Sequence, residues 1–94
     1  MTPYEGPTAR LRVHNSGVWP LALWLEPYGS DHWLRPGEVF VVHTWGYPDP
    51  YEPFEVEYRE DAVTVNVGGH GYVADLSGTE IECGHGRPAE GSWA

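Results

Sequence analysis

His43, Cys83 and His85 are the residues of this chain best suited to chemistry. Two imidazoles and a thiolate bind copper or zinc, because neutral nitrogen and soft sulfur match borderline and soft metals. Cys83 and His85 also stand close enough in sequence to act as nucleophile and base, although no third residue presents itself to orient the imidazole. Glu55 and Glu57 are two positions apart on an extended segment. That puts their side chains on one side at about 7 Å, a spacing at which paired carboxylates can cleave glycosides. Each reading has a plainer rival. Cys83 can be a small buried hydrophobe, His85 part of a tail, and the two glutamates a solvated strand face. His14, His32 and His70 lack the short spacings that bring two imidazoles to one metal. Gly-x-Ser-x-Gly, His-Glu-x-x-His and Gly-x-x-x-x-Gly-Lys patterns are absent. Gly68–Gly71 is glycine-rich but opens no helix, so it lacks the dipole that holds phosphate. The expectation is no catalytic residue and no cofactor, with His43, Cys83 and His85 as the alternative metal set.

The elements that must position these residues are strands. Leu11 and Val13 alternate with Arg10, Arg12 and His14, the period of a half-buried strand. Leu21–Leu25 and Val39–Thr44 are apolar on both faces, His32–Leu34 is a short strand, and Arg35-Pro36-Gly37-Glu38 has the chemistry of a type II turn. Phe54–Arg59 and Ala62–Val67 alternate cleanly on either side of Glu60-Asp61 and predict a hairpin. Gly68–Gly71 reads as a flexible connector, followed by Tyr72–Leu76 paired with Glu80–Cys83 across Ser77-Gly78-Thr79. No segment carries a helical period. Short strands with frequent turns predict an all-β fold: one small β-sandwich, immunoglobulin-like or cupredoxin-like, of six to eight mostly antiparallel strands. Residues 1–8 form a lead-in, 9–83 the domain and 84–94 a tail. Side chains should fill its interior, so any role falls to the outside.

Composition narrows the partners. The 94 residues carry 14 acidic side chains against five arginines and no lysine, a formal net charge of −9. Nucleic acid and anionic membranes require clustered positive charge, so neither is expected. One cysteine excludes an internal disulfide. The absence of a basic, apolar leader and of any long apolar run leads to the expectation of a cytoplasmic protein.

Two stretches concentrate large rings. Trp45–Phe54 holds Trp45, Tyr47 and Tyr51 among prolines, either as a binding loop or folded back as a lid on the sandwich end. Trp24, with Ala22, lies on the outward side of a two-sided apolar strand. Outward positions of a sandwich should be polar, so something must cover Trp24, and a symmetric dimer is one way to do so. Trp24, Trp45, Tyr47 and Tyr51 are therefore the candidate binding surface for a protein partner or a second copy.

Two resemblances follow from these residues. Pro20–Gly29, with Leu-Ala-Leu-Trp-Leu-Glu-Pro-Tyr-Gly, and Leu34–Glu38, with Pro-Gly-Glu, resemble short uncharacterised bacterial proteins. Those share a Leu-x-Leu-Glu-Pro-aromatic-Gly block before a Pro-Gly-Glu turn. The likeness implies one folding unit and carries no activity. The order His43, Cys83, His85 resembles the copper ligands of cupredoxins. It departs from them in the single residue between Cys83 and His85 and in having Met1 as the only methionine. The reading is a non-catalytic binding or structural module acting through protein–protein contact, a homodimer included. A small copper or zinc protein and a carbohydrate-binding module are the alternatives.

Overall fold

The computed structural model describes residues 7–47, 52–60 and 62–83. Seven strands follow in order: β1 (Thr8–His14), β2 (Leu21–Glu26), β3 (Ser30–Leu34), β4 (Val39–Trp45), β5 (Phe54–Arg59), β6 (Ala62–Val67) and β7 (His70–Asp75). They form a three-stranded sheet, β1-β4-β7, packed on a four-stranded sheet, β3-β2-β6-β5. Every pairing is antiparallel except β2 with β6, which is parallel. The expected all-β sandwich is what forms. No helix among the described residues is long and apolar enough to cross a membrane.

Period-two alternation does the sorting. Leu23 and Leu25 of β2, Leu34 of β3, Phe40 and Val42 of β4, Val65 and Val67 of β6 and Val73 of β7 make one core. Of the two possible inward sets on β4, Phe40 and Val42 are buried while Val39 and Val41 face outward and are half-buried. Burying such side chains is worth about 1.5–3 kcal/mol each. The Arg35–Glu38 turn forms as expected: Gly37 has φ 88°, the left-handed value a type II turn needs at its third residue, and Glu38 N donates to Arg35 O at 2.9 Å.

Asn15 does more than mark a turn. It is buried, and its Nδ2 donates to Trp19 O at 2.8 Å and Leu34 O at 3.0 Å, while its Oδ1 accepts from Gly17 N at 3.0 Å. Its backbone pairs with Glu38 O and Gly37 N. One amide thus fastens the β1–β2 loop to the β3–β4 turn.

Two expectations are corrected. Gly68–Gly71 is no loose connector, since His70 and Gly71 belong to β7. A Cβ at Gly69 would lie against Trp45 O and 2.7 Å from Tyr47 N, and one at Gly71 would lie 2.8 Å from His43 O. These glycines let β7 start flush against β4. The final hairpin also differs. It is short: Glu80 makes one bridge to Ala74, flanked by hydrogen bonds from Asp75 N to Thr79 O and from Ile81 N to Val73 O, before Cys83 reaches Asp31 of the other sheet. Asp75 Oδ1 holds the tight turn by accepting from Ser77 N, Ser77 Oγ and Thr79 N, and these bonds, Ser77 first, keep the Asp75 carboxyl below its ordinary pKa.

The two lateral sides of the sandwich are therefore unlike. On the β7/β3 side, Ile81 N donates to Val73 O at 2.8 Å, Ile81 packs on the core, and Cys83 Sγ donates to Asp31 Oδ1 at 3.0 Å. The segment 80–83 staples that side shut. On the β1/β5 side, the fourth strand overhangs the three-stranded layer, and the inward residues Val56 and Tyr58 remain 50% and 73% exposed.

Candidate functional site

Strand register settles which side chains share a surface. On β1-β4-β7 the outward residues are Thr8, Arg10, Arg12 and His14; Val39, Val41, His43 and Trp45; and His70, Tyr72 and Ala74. Arg10 stands opposite His43, His43 opposite Tyr72 and Trp45 opposite His70. His43 and Tyr72 stack with centroids 4.8 Å apart at 12°, Trp45 and His70 at 5.6 Å and 29°, and the edge contact of Trp45 with Tyr72 at 5.9 Å joins the two pairs. Thr44 Oγ1 donates to His70 O at 2.6 Å from the buried side, fixing the position of His70 beside β4.

No outward position on these three strands is Asp or Glu, in a chain with 14 acidic residues. Arginine and histidine are gathered there instead. Burial, and after it the Arg10 guanidinium, hold the His43 imidazole below its ordinary pKa of 6.5. The opposite outer face, on β3-β2-β6-β5, carries Glu26, Asp31, Glu55 and Glu57 with Arg59 as its one cation. The sandwich is a plate polarised from one face to the other.

The predicted binding residues do not form one surface. Trp45 belongs to the basic face, whereas Trp24 lies on the acidic face, 39% exposed. Tyr47 is half-buried and its Cβ lies against the space above Gly68, and Tyr51 is outside the described residues. Trp45 stacks on the outer face and does not cap the core. Ala22, opposite Trp33 and Ala62, is covered within the chain to 4% exposure, so part of the surface that called for a covering partner already has one. Trp33 Nε1 donates to Asp31 Oδ2 at 2.9 Å beside it.

The alternative metal residues are also separated. His43 stacks on Tyr72 on one outer face, Cys83 donates to Asp31 of β3 in the other sheet, and His85 is outside the described residues. Among the described residues no group of three or more His, Cys, Asp or Glu could hold a metal ion.

A second feature escaped the sequence reading. At one end of the open side, a groove of about 420 Å³ runs between the β1–β2 loop and the β5–β6 hairpin, lined by Val13, Val18, Trp19, Leu21, Tyr58 and Val63 among others. Trp19 and Val18 are 73% and 78% exposed.

No family model matches the chain, and neither a curated protein nor a solved structure matches it. Its class rests on the fold alone, a small two-sheet β-sandwich.

Proposed function

We propose that this chain is a non-catalytic binding module acting by protein–protein contact, and that its outer β1-β4-β7 face receives an acidic polypeptide segment. The observation that carries this reading is the absence of carboxylates from every outward position of β1, β4 and β7, with Arg10, Arg12, His14, His43 and His70 gathered there and Glu80, bridged to Ala74, standing at the β7 margin. Charged partners are steered and registered by such complementary potentials. The guanidinium groups bind carboxylates through paired hydrogen bonds, and the half-buried rings of Trp45 and Tyr72 supply stiff apolar contact.

The ring geometry favours a peptide over a sugar or a nucleic acid. Stacking platforms for sugars and bases need ring faces, and His43, Tyr72, Trp45 and His70 turn a face toward one another. Among the described residues Arg10 and Arg12 are the only arginines on the face, fewer than the run of cations a phosphate backbone engages.

The test is a fluorescence-anisotropy titration with three dye-labelled probes: a peptide of alternating Glu and Tyr, its Lys-for-Glu counterpart and an oligo-dT strand. The reading expects the acidic peptide to bind and both others to fail. Equal binding of both peptides, or tighter binding of the DNA, would overturn it.

A further inference from the structure

We propose that β5 is a dimerisation edge, pairing antiparallel with β5 of a second copy about a two-fold axis at Glu57. This goes beyond the reading of the basic face, because β5 belongs to the other sheet and to the open side of the sandwich.

Three observations converge. Among the described residues β5 pairs only with β6, so its other edge offers a row of backbone donors and acceptors. Its inward side chains Val56 and Tyr58 project past the three-stranded sheet and stay 50% and 73% exposed, beside the groove that holds Trp19. Its outward charges run Glu55, Glu57, Arg59, in an order that selects a register.

Directly opposed residues of an antiparallel pair share a face, so only axes centred on a residue keep apolar with apolar. An axis at Val56 would set Glu55 against Glu57 of the second copy twice, and its apolar pairs, Val56 with its mate and Phe54 with Tyr58 twice, would come with no opposite-charge pair. An axis at Tyr58 would pair Glu57 with Arg59 twice, but it would set Val56 against the second copy's Glu60 twice and leave Tyr58 with its own mate as its one apolar pair among residues 54–60. An axis at Glu57 sets Val56 against the second copy's Tyr58 twice and Glu55 against its Arg59 twice. The unfavourable pairs are Glu57 with its own symmetry mate and, at the two strand ends, Phe54 against the second copy's Glu60. Cross-strand apolar and opposite-charge pairs stabilise, and of the three registers this is the one that combines two apolar pairs with two opposite-charge pairs. The charges that blunt an ordinary edge here serve as a key for a second copy. Arg59 also lies 3.7 Å from Glu57 of its own chain, both well exposed, so it is available to swing toward the second copy. The contact is small for a protein interface, and a dissociation constant on the order of tens of micromolar is expected.

Sedimentation equilibrium of the full chain in 0.15 M salt from 10 to 500 µM provides the test. A monomer–dimer equilibrium should appear. Arg59→Glu should weaken it about tenfold, the double swap Glu55→Arg with Arg59→Glu should restore it, and Glu57→Gln should tighten it about threefold. Circular dichroism of each variant checks that the sandwich persists. A monomer throughout the range would overturn the proposal. So would a dimer indifferent to Arg59→Glu, a swap that restores nothing, or a dimer lost in Trp24→Ser. Arg10→Glu should leave dimerisation unchanged, which separates failure here from failure of the basic face.

Discussion

His43 on β4 and Tyr72 on β7 are directly opposed and stacked, with ring centroids 4.8 Å apart. The pair sits on the outside of its sheet, where it stabilises no core, and Arg10 stands across β4's other side from it. Rings held this firmly against neighbours lose little side-chain entropy when a partner arrives.

Reversing the charge of that face should abolish capture of an acidic peptide without harming the fold. Arg10→Glu combined with Arg12→Glu is expected to weaken binding by about tenfold or more. Both side chains are exposed, so the melting temperature should stay within a few degrees, as surface substitutions change stability by about 0.5 kcal/mol. Anisotropy and thermal melts read the two effects separately.

Binding should strengthen in mild acid. The free His43 titrates below its ordinary 6.5 because of burial and Arg10, and carboxylates brought to it favour the imidazolium. The complex therefore takes up a proton, and affinity rises as pH falls through the interval between the free and bound pKa values. Among the described residues Arg10, Tyr72, His70, Trp45 and, further along the face, His14 and Arg12 are the other charged, titratable or aromatic groups there, with Glu80 at the β7 margin beside Ala74. Titrations at pH 7.5 and 5.5 should differ by up to about tenfold, and His43→Gln should flatten the difference.

Folding stability has its own pH dependence through His32. This imidazole is buried at the stapled side, with Nε2 2.9 Å from Ser30 Oγ, and burial holds its pKa below 6.5 despite the opposing pull of the Glu82 backbone and Asp31. The unfolded chain therefore binds the proton more readily. Stability is complete above about pH 6.5 and declines as pH falls toward the folded pKa. Urea melts from pH 7.5 to 5 should show the decline, and His32→Gln should remove most of it.

Asn15→Ala should be among the most damaging single changes in the chain. It strips the side-chain partner from Trp19 O, Leu34 O and Gly17 N at a buried position. The expected loss is about 2–4 kcal/mol, seen as a melting temperature lower by roughly 10 °C or more. Gly69→Ala is expected to cost about 2 kcal/mol or more, since its new methyl would meet the Trp45 and Tyr47 backbone.

The architecture was legible because alternation is local. Leu11 and Val13 against Arg10 and Arg12, or Val63, Val65 and Val67 on one side of β6, announce strands without any knowledge of neighbours. The Phe54–Val67 hairpin and the Pro36-Gly37 turn follow from nearby residues in the same way. The basic face was not legible. Arg10, His43 and Tyr72 are far apart in sequence, and only the β1-β4-β7 order and its register bring them together. The outward side of β1 read simply as water-facing, and the Trp24 and Trp45 rings could not be assigned to opposite layers. The overhang of β5 was hidden for a related reason. Val56 and Tyr58 have an inward pattern, and their exposure depends on the second sheet being one strand narrower. Glycine misled in its own way at Gly69, where the missing Cβ serves close approach rather than freedom.

The most direct measurement of the central claim is a two-dimensional NMR titration of the uniformly labelled chain with the Glu/Tyr peptide. The account predicts that shifts concentrate on outward residues of β1, β4 and β7, with His43, Trp45, His70 and Tyr72 foremost, while Trp24 and Glu57 on the far layer stay still. Shifts centred on Trp24, or none at saturating peptide, would contradict it.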